Sequence, residues 1–363
     1  MSGITGENRG RWPGDAPKRF PSGVTSFLTE DERIGSKLEE LARRLGVFRS
    51  RDGGVVAIEI PDGQEDDSCL AFGTSLSPLE QERTLVLRNG AAGPRLLSLR
   101  RLLARCQEAW FLDFLRYGVC TAFLQPIADL TSGVVWGYET VLRASEQNGT
   151  KVDSERAFRS ARATGFVAHL DAKARRAAIE ASRRHLKRTD RLFIKLEAES
   201  LFEGLGDFEL TLPLARALPQ SPDHIVFEVT GAESVDESRA LVAALAPLRE
   251  EGFRIGLDRL ASGFAVIATL ETLRPDFVKL DRRLVSGAHG DRYRCHLVTA
   301  LVELARDMSI PLIAPGVETA DDYFFVRDLG VPLAQGSLLG GPETTAVRDL
   351  PLPRRLEPAA GAP

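Results

Sequence analysis

The chain contains few cysteines and no long hydrophobic run, and both absences restrict what it can be. Its 363 residues include four cysteines without metal-ligand spacing or a disulfide framework: Cys69, Cys106, Cys120 and Cys295. No stretch approaches the ~18 apolar residues of a membrane-spanning helix. The N-terminal residues also lack the apolar core of a secretory signal. We therefore expect a soluble, cytoplasmic protein with reduced thiols and no membrane contact.

An excess of charge of one sign is also absent. The 47 lysine and arginine residues nearly balance the 51 aspartate and glutamate residues, which gives a net charge of −4 at pH 7. A protein that binds nucleic acid through bulk charge needs a strongly basic surface, so we expect no nucleic-acid partner. The balanced composition does not exclude a local basic pocket. Hydrophobic residues form 43% of the chain, which suffices for the core of one large domain and a smaller one.

The two ends and the first hundred residues differ from the rest in composition. Residues 1–26 are rich in Gly, Pro, Arg and Ser and predict a disordered tail, and residues 346–363, rich in Pro and Ala, predict a loose C-terminal tail. Residues 27–94 form a small accessory region, either a ligand-sensing module or a packing extension. One helix and two strands are expected in it, at 31–46, 55–60 and 84–89.

Residues 95–118 are expected to form a linker helix. Apolar residues recur there at steps of three and four, which is typical of a helix with one apolar face. They are Leu96, Leu99, Leu103, Cys106, Trp110 and Phe114. Such a stripe either belongs to a core or pairs two subunits.

Short runs rich in Val, Ile and Phe alternate with amphipathic stretches between residues 119 and 345. Strands are expected at 134–143, 192–196, 224–229, 254–258, 276–280 and 311–314. Helices are expected between them, at 155–163, 167–186, 235–251, 292–308 and 321–329. This alternation indicates the α/β class with a largely parallel sheet. The length fits a closed (β/α)8 barrel, although the pattern alone also allows an open doubly wound sheet.

Eight segments of this region, in order, resemble the EAL domain, the cyclic di-GMP phosphodiesterase barrel of bacterial signalling. They are FLQPIADL (123–130), GYETVLRA (137–144), LFIKLEAESL (192–201), IVFEVT (225–230), RIGLDRLASGF (254–264), FVKLDRRLV (277–285), PLIAPGVET (311–319) and AQGSLLGGP (334–342). The resemblance implies a TIM-like (β/α)8 barrel of EAL type after the accessory region, with its site at the carboxyl ends of the strands. It also implies Mg²⁺ or Mn²⁺ ions that activate water against a phosphodiester.

The resemblance carries most of the family's site positions onto this chain. The signature glutamate, which is both catalytic and metal-ligating, falls on Glu139. Further metal ligands fall on Glu228 and Asp258, and the lysine near the reacting phosphate falls on Lys279. Retained positions for nucleotide contacts are Gln125, Arg143 and Gln335.

Three positions depart from the family's pattern. A metal-ligating asparagine falls on Lys195, the second aspartate of an Asp-Asp pair on Arg259, and the general-base glutamate on Pro315. A protonated lysine has no lone pair for a metal, and both cations add positive charge where metal ions should bind. Proline has no side chain that accepts a proton from water. We therefore expect a degenerate phosphodiesterase without a cofactor, with Mg²⁺ or Mn²⁺ needed only if activity survives.

The charged residues allow three arrangements. The three retained carboxylates could form an internal ion-pair cluster with Lys195 and Arg259. Alternatively, Lys195, Arg259, Arg143 and Lys279 could form a cationic pocket that grips the phosphates of a dinucleotide directly. In the third arrangement the pocket still binds metal in an altered way.

Three functions correspond to these arrangements. The first is an inactive regulator that works through protein contacts, the second is a metal-independent cyclic di-GMP receptor, and the third is an active phosphodiesterase. The three altered positions argue against the third, and the sequence does not separate the first two. We expect a protein partner and leave cyclic di-GMP binding and a homodimer open.

Overall fold

A computed structural model describes residues 23–90, 93–203, 206–231, 235–260 and 264–353. The chain divides into two compact units. One comprises Met1–Val119 and Ser145–Phe166, and the other comprises Cys120–Ala144 and Val167–Pro363. Residues 145–166 therefore group with the accessory region, although they lie inside the expected barrel boundaries of 119–345.

The strands and helices are numbered along the chain. The strands are β1 (Gly23–Leu28), β2 (Phe48–Asp52), β3 (Val55–Ile60), β4 (Leu85–Gly90), β5 (Gly93–Ser98), β6 (Val119–Asp129), β7 (Val135–Ser145), β8 (Lys151–Val152), β9 (Leu192–Glu197), β10 (Ile225–Thr230), β11 (Arg254–Leu260), β12 (Phe277–Leu280), β13 (Leu312–Pro315) and β14 (Leu333–Gln335). The helices are α1 (Glu32–Arg44), α2 (Glu65–Ser75), α3 (Pro78–Glu82), α4 (Leu99–Gln107), α5 (Ala109–Tyr117), α6 (Ser154–Thr164), α7 (Val167–His185), α8 (Ala198–Glu203), α9 (Gly206–Arg216), α10 (Val235–Glu250), α11 (Phe264–Leu273), α12 (Arg282–Val285), α13 (Arg292–Asp307) and α14 (Ala320–Asp328). Among the described residues, no helix combines the length and the apolar character needed to cross a membrane.

The first unit is built on an antiparallel sheet with the strand order β2-β3-β1-β4-β5. Helix α1 begins where the Asp31 carboxylate accepts a hydrogen bond from the Arg33 backbone N–H, which satisfies one free donor of the first turn. The apolar residues of α1, Ile34, Leu38 and Leu41, recur at helical spacing and are buried. They pack in one core with residues of the sheet and of α2 and α4. This unit therefore has a hydrophobic core of its own.

The expected linker helix over 95–118 is wrong as a single element. Leu96 lies on β5 and is 57% exposed, whereas Leu99 and Leu103 lie on α4 and are buried in the core of the first unit. Helix α4 ends before Glu108, whose backbone φ of −101° and ψ of 35° depart from helical values. Helix α5 begins directly after it. The stripe at Leu99 and Leu103 is therefore core.

The second unit is a closed barrel of eight strands. Their order is β6-β14-β13-β12-β11-β10-β9-β7, and β6 also pairs with β7. Neighbouring strands from β7 round to β14 are parallel, whereas β6 is antiparallel to β14. The expected TIM-like (β/α)8 barrel is confirmed, with one reversed strand. The carboxyl ends of seven strands meet at one rim.

Two apolar layers hold the barrel together. The larger lies between the strands and the surrounding helices. The smaller fills the interior of the barrel with Ile127, Phe193, Val226, Ile313 and Leu333. All six residues of β10 are buried because this strand faces both layers.

Both expected tails are shorter than their composition indicates. Residues 23–26 belong to β1, which pairs with β3 and β4, so the disordered tail cannot extend to residue 26. Residues 1–22 and 354–363 lie outside the described part. Residues 346–352, expected to be loose, contact the barrel: Leu350 and Leu352 pack against its core, and Arg348 Nη1 lies 2.6 Å from Asp190 Oδ1.

We predict that Leu103→Glu destabilises the first unit by about 3–5 kcal/mol, because it places a charge without a partner among buried apolar side chains. Leu96→Glu is the matched control, since Leu96 is exposed on the neighbouring strand, and it should change the free energy of unfolding by less than about 0.5 kcal/mol. Chemical denaturation followed by circular dichroism measures both. Equal stability of the two variants would show that the stripe is not core.

Candidate functional site

The expected site residues form a layer directly above the apolar interior of the barrel. Successive side chains of a strand point to opposite faces, so a residue two positions from an interior residue also points inwards. Such positions follow interior apolar residues on β9, β10, β12, β13 and β14, and they are Lys195, Glu228, Lys279, Pro315 and Gln335. On the reversed strand β6 the equivalent residue precedes Ile127 and is Gln125. The site is therefore positioned by the pairing of the strands and by the alternation of side chains between the two faces of each strand.

Five charged side chains meet in this layer, and we call them the charged cluster: Glu139, Lys195, Glu228, Asp258 and Lys279. They come from five strands that are neighbours in the sheet. Lys279 Nζ lies 2.8 Å from Glu139 Oε2 and 3.2 Å from Glu228 Oε1. Lys195 Nζ lies 2.9 Å from Glu139 Oε1 and 3.5 Å from Asp258 Oδ2. Each lysine thus bridges two carboxylates, and Glu139 is shared by both.

Burial and mutual charge control protonation in the charged cluster. Burial alone would raise the pKa of Glu139, but the ammonium groups of Lys195 and Lys279 hold it well below its usual range. Burial raises the pKa of Glu228 to about 8, an effect that Lys279 offsets only in part. Burial would lower the pKa of both lysines, yet the surrounding carboxylates outweigh it and raise each. Both lysines are therefore charged and matched by carboxylates inside the cluster.

The residues present do not fit a divalent metal ion. In the resemblance, Glu139 and Asp258 are ligands, but the Lys195 ammonium lies within ion-pair distance of both. A protonated lysine offers a metal no lone pair and repels it. Within the described ranges, no group of three His, Cys, Asp or Glu side chains is arranged to hold a metal ion. The ammonium of Lys195 supplies the positive charge that the two carboxylates would otherwise take from a metal.

Arg259 lies at the edge of the cluster. Its side chain is 73% exposed, and its Nε is 4.0 Å from Asp258 Oδ2. Its backbone φ of 61° is in the left-handed region, which is uncommon for a residue with a Cβ. The structure therefore does not place Arg259 between the carboxylates. The next residues of this loop, 261–263, lie outside the described residues.

The expected nucleotide contacts lie around the mouth of the barrel. Gln125 Nε2 donates a hydrogen bond to the Gly340 carbonyl at 3.2 Å. Arg143 is exposed on the same strand as Glu139, with its guanidinium 5.2 Å from the centre of the Phe123 ring. Both groups can be reached by a ligand without breaking an ion pair of the charged cluster.

Gln335 and Pro315 are paired in register on β14 and β13. The Nε2 atom of Gln335 is buried and has no hydrogen-bond partner among the described residues. A buried donor without a partner costs free energy of folding. The Gln335 amide therefore indicates that the site can receive a hydrogen-bond acceptor. Pro315 provides no side-chain acceptor beside it, so the expected general-base position lacks a base.

Two residues at this rim were not predicted from the sequence. Gly340 supplies the carbonyl that orients Gln125, and no signal in the sequence identifies it. Asp281 is buried and caps α12. Its pKa is lowered first by hydrogen bonds from Arg283, with a smaller contribution from the charge of Arg259. Its place directly after the strand FVKL could have revealed it, because residues at carboxyl ends of barrel strands line such sites.

Comparison with known proteins identifies the family. The model of the EAL domain matches residues 109–342, and the chain belongs to this family. The matched range covers the barrel and the charged cluster. The family assignment therefore agrees with the fold and with the segments that carry the resemblance.

Three relatives show how far the similarity extends. The cyclic di-GMP phosphodiesterase NbdA of Pseudomonas aeruginosa is 27% identical over 333 residues, which is 88% of this chain and 42% of NbdA. The blue light- and temperature-regulated antirepressor BluF of Escherichia coli is 22% identical over 134 residues, 37% of this chain and 33% of BluF. A solved structure of the PaMucR phosphodiesterase in complex with c-di-GMP has a TM-score of 0.58 at 23% identity and covers 64% of this chain and 97% of that one. This chain spans less than half the length of both curated relatives.

We predict that Lys279→Met destabilises the barrel more than Lys195→Met. Lys279 is buried, so its loss removes the buried cation beside the ionised Glu139 and should cost about 3–5 kcal/mol. The Lys195 side chain is 44% exposed, and Glu139 keeps Lys279 beside it when Lys195 is lost, so this loss should cost only about 1 kcal/mol. Urea denaturation with a chelator present measures both. Equal losses would contradict the assignment of Lys279 as the buried counter-ion.

Proposed function

We propose that this chain is an EAL domain of cyclic di-GMP signalling that does not hydrolyse the dinucleotide and acts as a regulator through protein contacts. The observation that carries the proposal is the position of Lys195 Nζ, 2.9 Å from Glu139 and 3.5 Å from Asp258. Those two carboxylates are among the three that the resemblance assigns to metal. Because the ammonium already pairs with both, a metal-activated water has no support there.

The size of the electrostatic repulsion between Lys195 and a metal ion favours the loss of hydrolysis. Two unit charges of the same sign at ~4 Å repel by about 4 kcal/mol at an effective dielectric near 20, and a divalent ion doubles this. A factor of ten in affinity corresponds to about 1.4 kcal/mol, so one such contact suffices to empty a metal site. The absence of a base at Pro315 removes a separate contribution, that of general-base catalysis.

Regulation through a protein partner is supported by the name of one relative. The relative BluF carries the name of an antirepressor, a protein that acts on a repressor. The chain also has an accessory unit with its own core and ion pairs, for example Lys37 with Glu80 at 2.8 Å. A domain without catalysis that is joined to an independently packed unit can transmit a signal by binding.

We expect purified protein to release no linear dinucleotide from cyclic di-GMP with Mg²⁺ or Mn²⁺, even after long incubation. Chromatographic product analysis is the measurement. The triple variant Lys195→Asn, Arg259→Asp, Pro315→Glu restores the family residues and should gain activity, whereas each single change should not, since residues that act as one unit are strongly non-additive.

The decisive control is Glu139→Ala. If the wild-type chain hydrolyses cyclic di-GMP and Glu139→Ala abolishes that hydrolysis, the proposal is wrong. This result would show that the cluster still supports metal-dependent chemistry. Robust activity in any single reversion would show that the other two positions are not damaged.

A second candidate, a metal-independent receptor for cyclic di-GMP, has specific support. Gln335 Nε2 is a buried donor without a partner among the described residues, and Gln125 and Arg143 are retained beside the mouth. The PaMucR structure is a complex with c-di-GMP. Arg143 is exposed, whereas Lys195 and Lys279 are already paired with carboxylates.

We expect any cyclic di-GMP binding to persist with a chelator present, and Arg143→Ala to weaken it by about 1.5–3 kcal/mol, the range for hydrogen bonds to charged groups. Arg191→Ala is the matched control. Arg191 also lies over an aromatic ring, that of Trp136 at 4.6 Å, but it directly precedes β9 and is at the opposite end of the barrel. Isothermal calorimetry distinguishes the two. Binding only after Mg²⁺ is added, or equal effects of both variants, would contradict the receptor.

A further inference from the structure

Two cysteines of the first unit lie on helices that face each other. Cys69 is on α2 and buried, and Cys106 is on α4 and partly buried against the same apolar core. Gly73 follows Cys69 by one helical turn, and a Cβ built on it would lie 3.8 Å from Leu103 Cδ2 and 3.9 Å from Gln107 Nε2. Leu103 and Gln107 flank Cys106 on α4. The faces that carry the two thiols are therefore in contact.

The thiols themselves are adjacent, since the side chain of Cys106 is hydrogen-bonded to that of Cys69. A disulfide requires Cα atoms about 4.4–6.8 Å apart. Helices packed with axes about 8–10 Å apart, and with Cα atoms about 2.3 Å from each axis, leave facing Cα atoms roughly 3.5–5.5 Å apart, which overlaps that range. A bond between these sulfurs therefore needs little movement of the backbone.

We propose that Cys69 and Cys106 form a reversible disulfide when the protein meets a peroxide, so that the pair is a thiol modification site in the first unit. The Cys106 sulfur, which is the more accessible, attacks a peroxide oxygen. An S–O bond forms, the O–O bond breaks, and the leaving oxygen departs as water. The Cys69 sulfur then attacks the sulfenic sulfur of Cys106, an S–S bond forms, and a second water leaves. The two thiols lose two electrons and two protons, and one hydrogen peroxide becomes two waters.

The electrostatics of Cys69 distinguish the reduced pair from an ordinary buried thiol. Cys106 lowers the pKa of the Cys69 thiol through the hydrogen bond, and this outweighs the opposing effects of burial and of Asp66. A thiolate is the reactive form of cysteine, so a lowered pKa makes the reduced pair more reactive towards an oxidant. Cys120 in the second unit shows the contrast, because burial raises the pKa of its thiol to about 11.

The pair also has a structural consequence. A bond between α2 and α4 would cross-link two helices that contribute to one core. Cross-links stabilise a fold chiefly by restricting the unfolded chain, and more so for longer loops. Oxidation is thus expected to stiffen the accessory unit, which gives that unit a response to oxidants that is independent of any nucleotide in the barrel.

The test uses the full chain treated with a small excess of hydrogen peroxide, then unfolded and alkylated with a maleimide. We expect two of the four cysteines to become resistant to alkylation. Proteolysis without reductant should yield one peptide that links Cys69 to Cys106. Dithiothreitol should restore all four thiols, and the oxidised chain should melt several degrees higher than the reduced one. Cys120 and Cys295, both partly buried, are internal controls that should stay alkylatable.

Two further samples make the result specific. Cys106→Ser should leave Cys69 alkylatable after the same treatment, and chain oxidised in denaturant should lose the selectivity for this pair. Four alkylatable thiols after peroxide, a disulfide between other cysteines, or oxidation of Cys106 to a sulfinic acid without a cross-link would each overturn the proposal. The readout in the wild-type chain does not depend on whether the variant folds.

Discussion

The centre of the barrel depends on Glu139, a carboxylate that is buried, ionised and shared by two lysines. A buried charge is tolerated only with nearby compensation, because removal from water costs several kcal/mol. Metal ions would supply that compensation in a phosphodiesterase, and lysine ammonium groups supply it here. The two solutions exclude each other, because Lys195 pairs with the carboxylates that a metal would need. Retention of the signature glutamate is therefore no sign of activity, since the same side chain holds the lysines.

The fold and the charged cluster are separable. The interior layer of Phe193, Val226 and Ile313 and the larger layer under the helices close the barrel below the site, without any contribution from charged groups. The period of two along each strand then fixes which positions face the mouth. Substitutions at Lys195 or Pro315 would alter the chemistry of the site while leaving the apolar layers intact, so the shape of the barrel does not depend on those residues.

Six strands and five helices between residues 119 and 345 were predictable because their patterns are strong, whereas β6, β14, α8, α9 and α11 were not expected. Each of the six expected strands appears with ends displaced by at most two residues. Failures have local causes. Strand β1 has few large apolar residues and depends on two neighbours for its order, and Glu108 interrupts a stripe that reads as one helix. The partners within the cluster were not predictable, because they depend on side-chain direction. Lys279 enters the cluster, whereas Arg259, expected there, stays largely exposed in a left-handed backbone conformation.

The internal pairing also determines how the barrel can respond to its surroundings. If three carboxylates shared a buried site without cations, their repulsion would make the stability of the barrel depend on metal binding, since a ligand stabilises the state that binds it. Here Lys195 and Lys279 are part of the chain, and their ammonium groups lie between the carboxylates without a metal ion. Under the proposed function, a signal would enter through a group that the cluster leaves accessible. The exposed guanidinium of Arg143 at the mouth, or the separately packed accessory unit, meets that condition, whereas the buried pair of Glu139 and Lys279 does not.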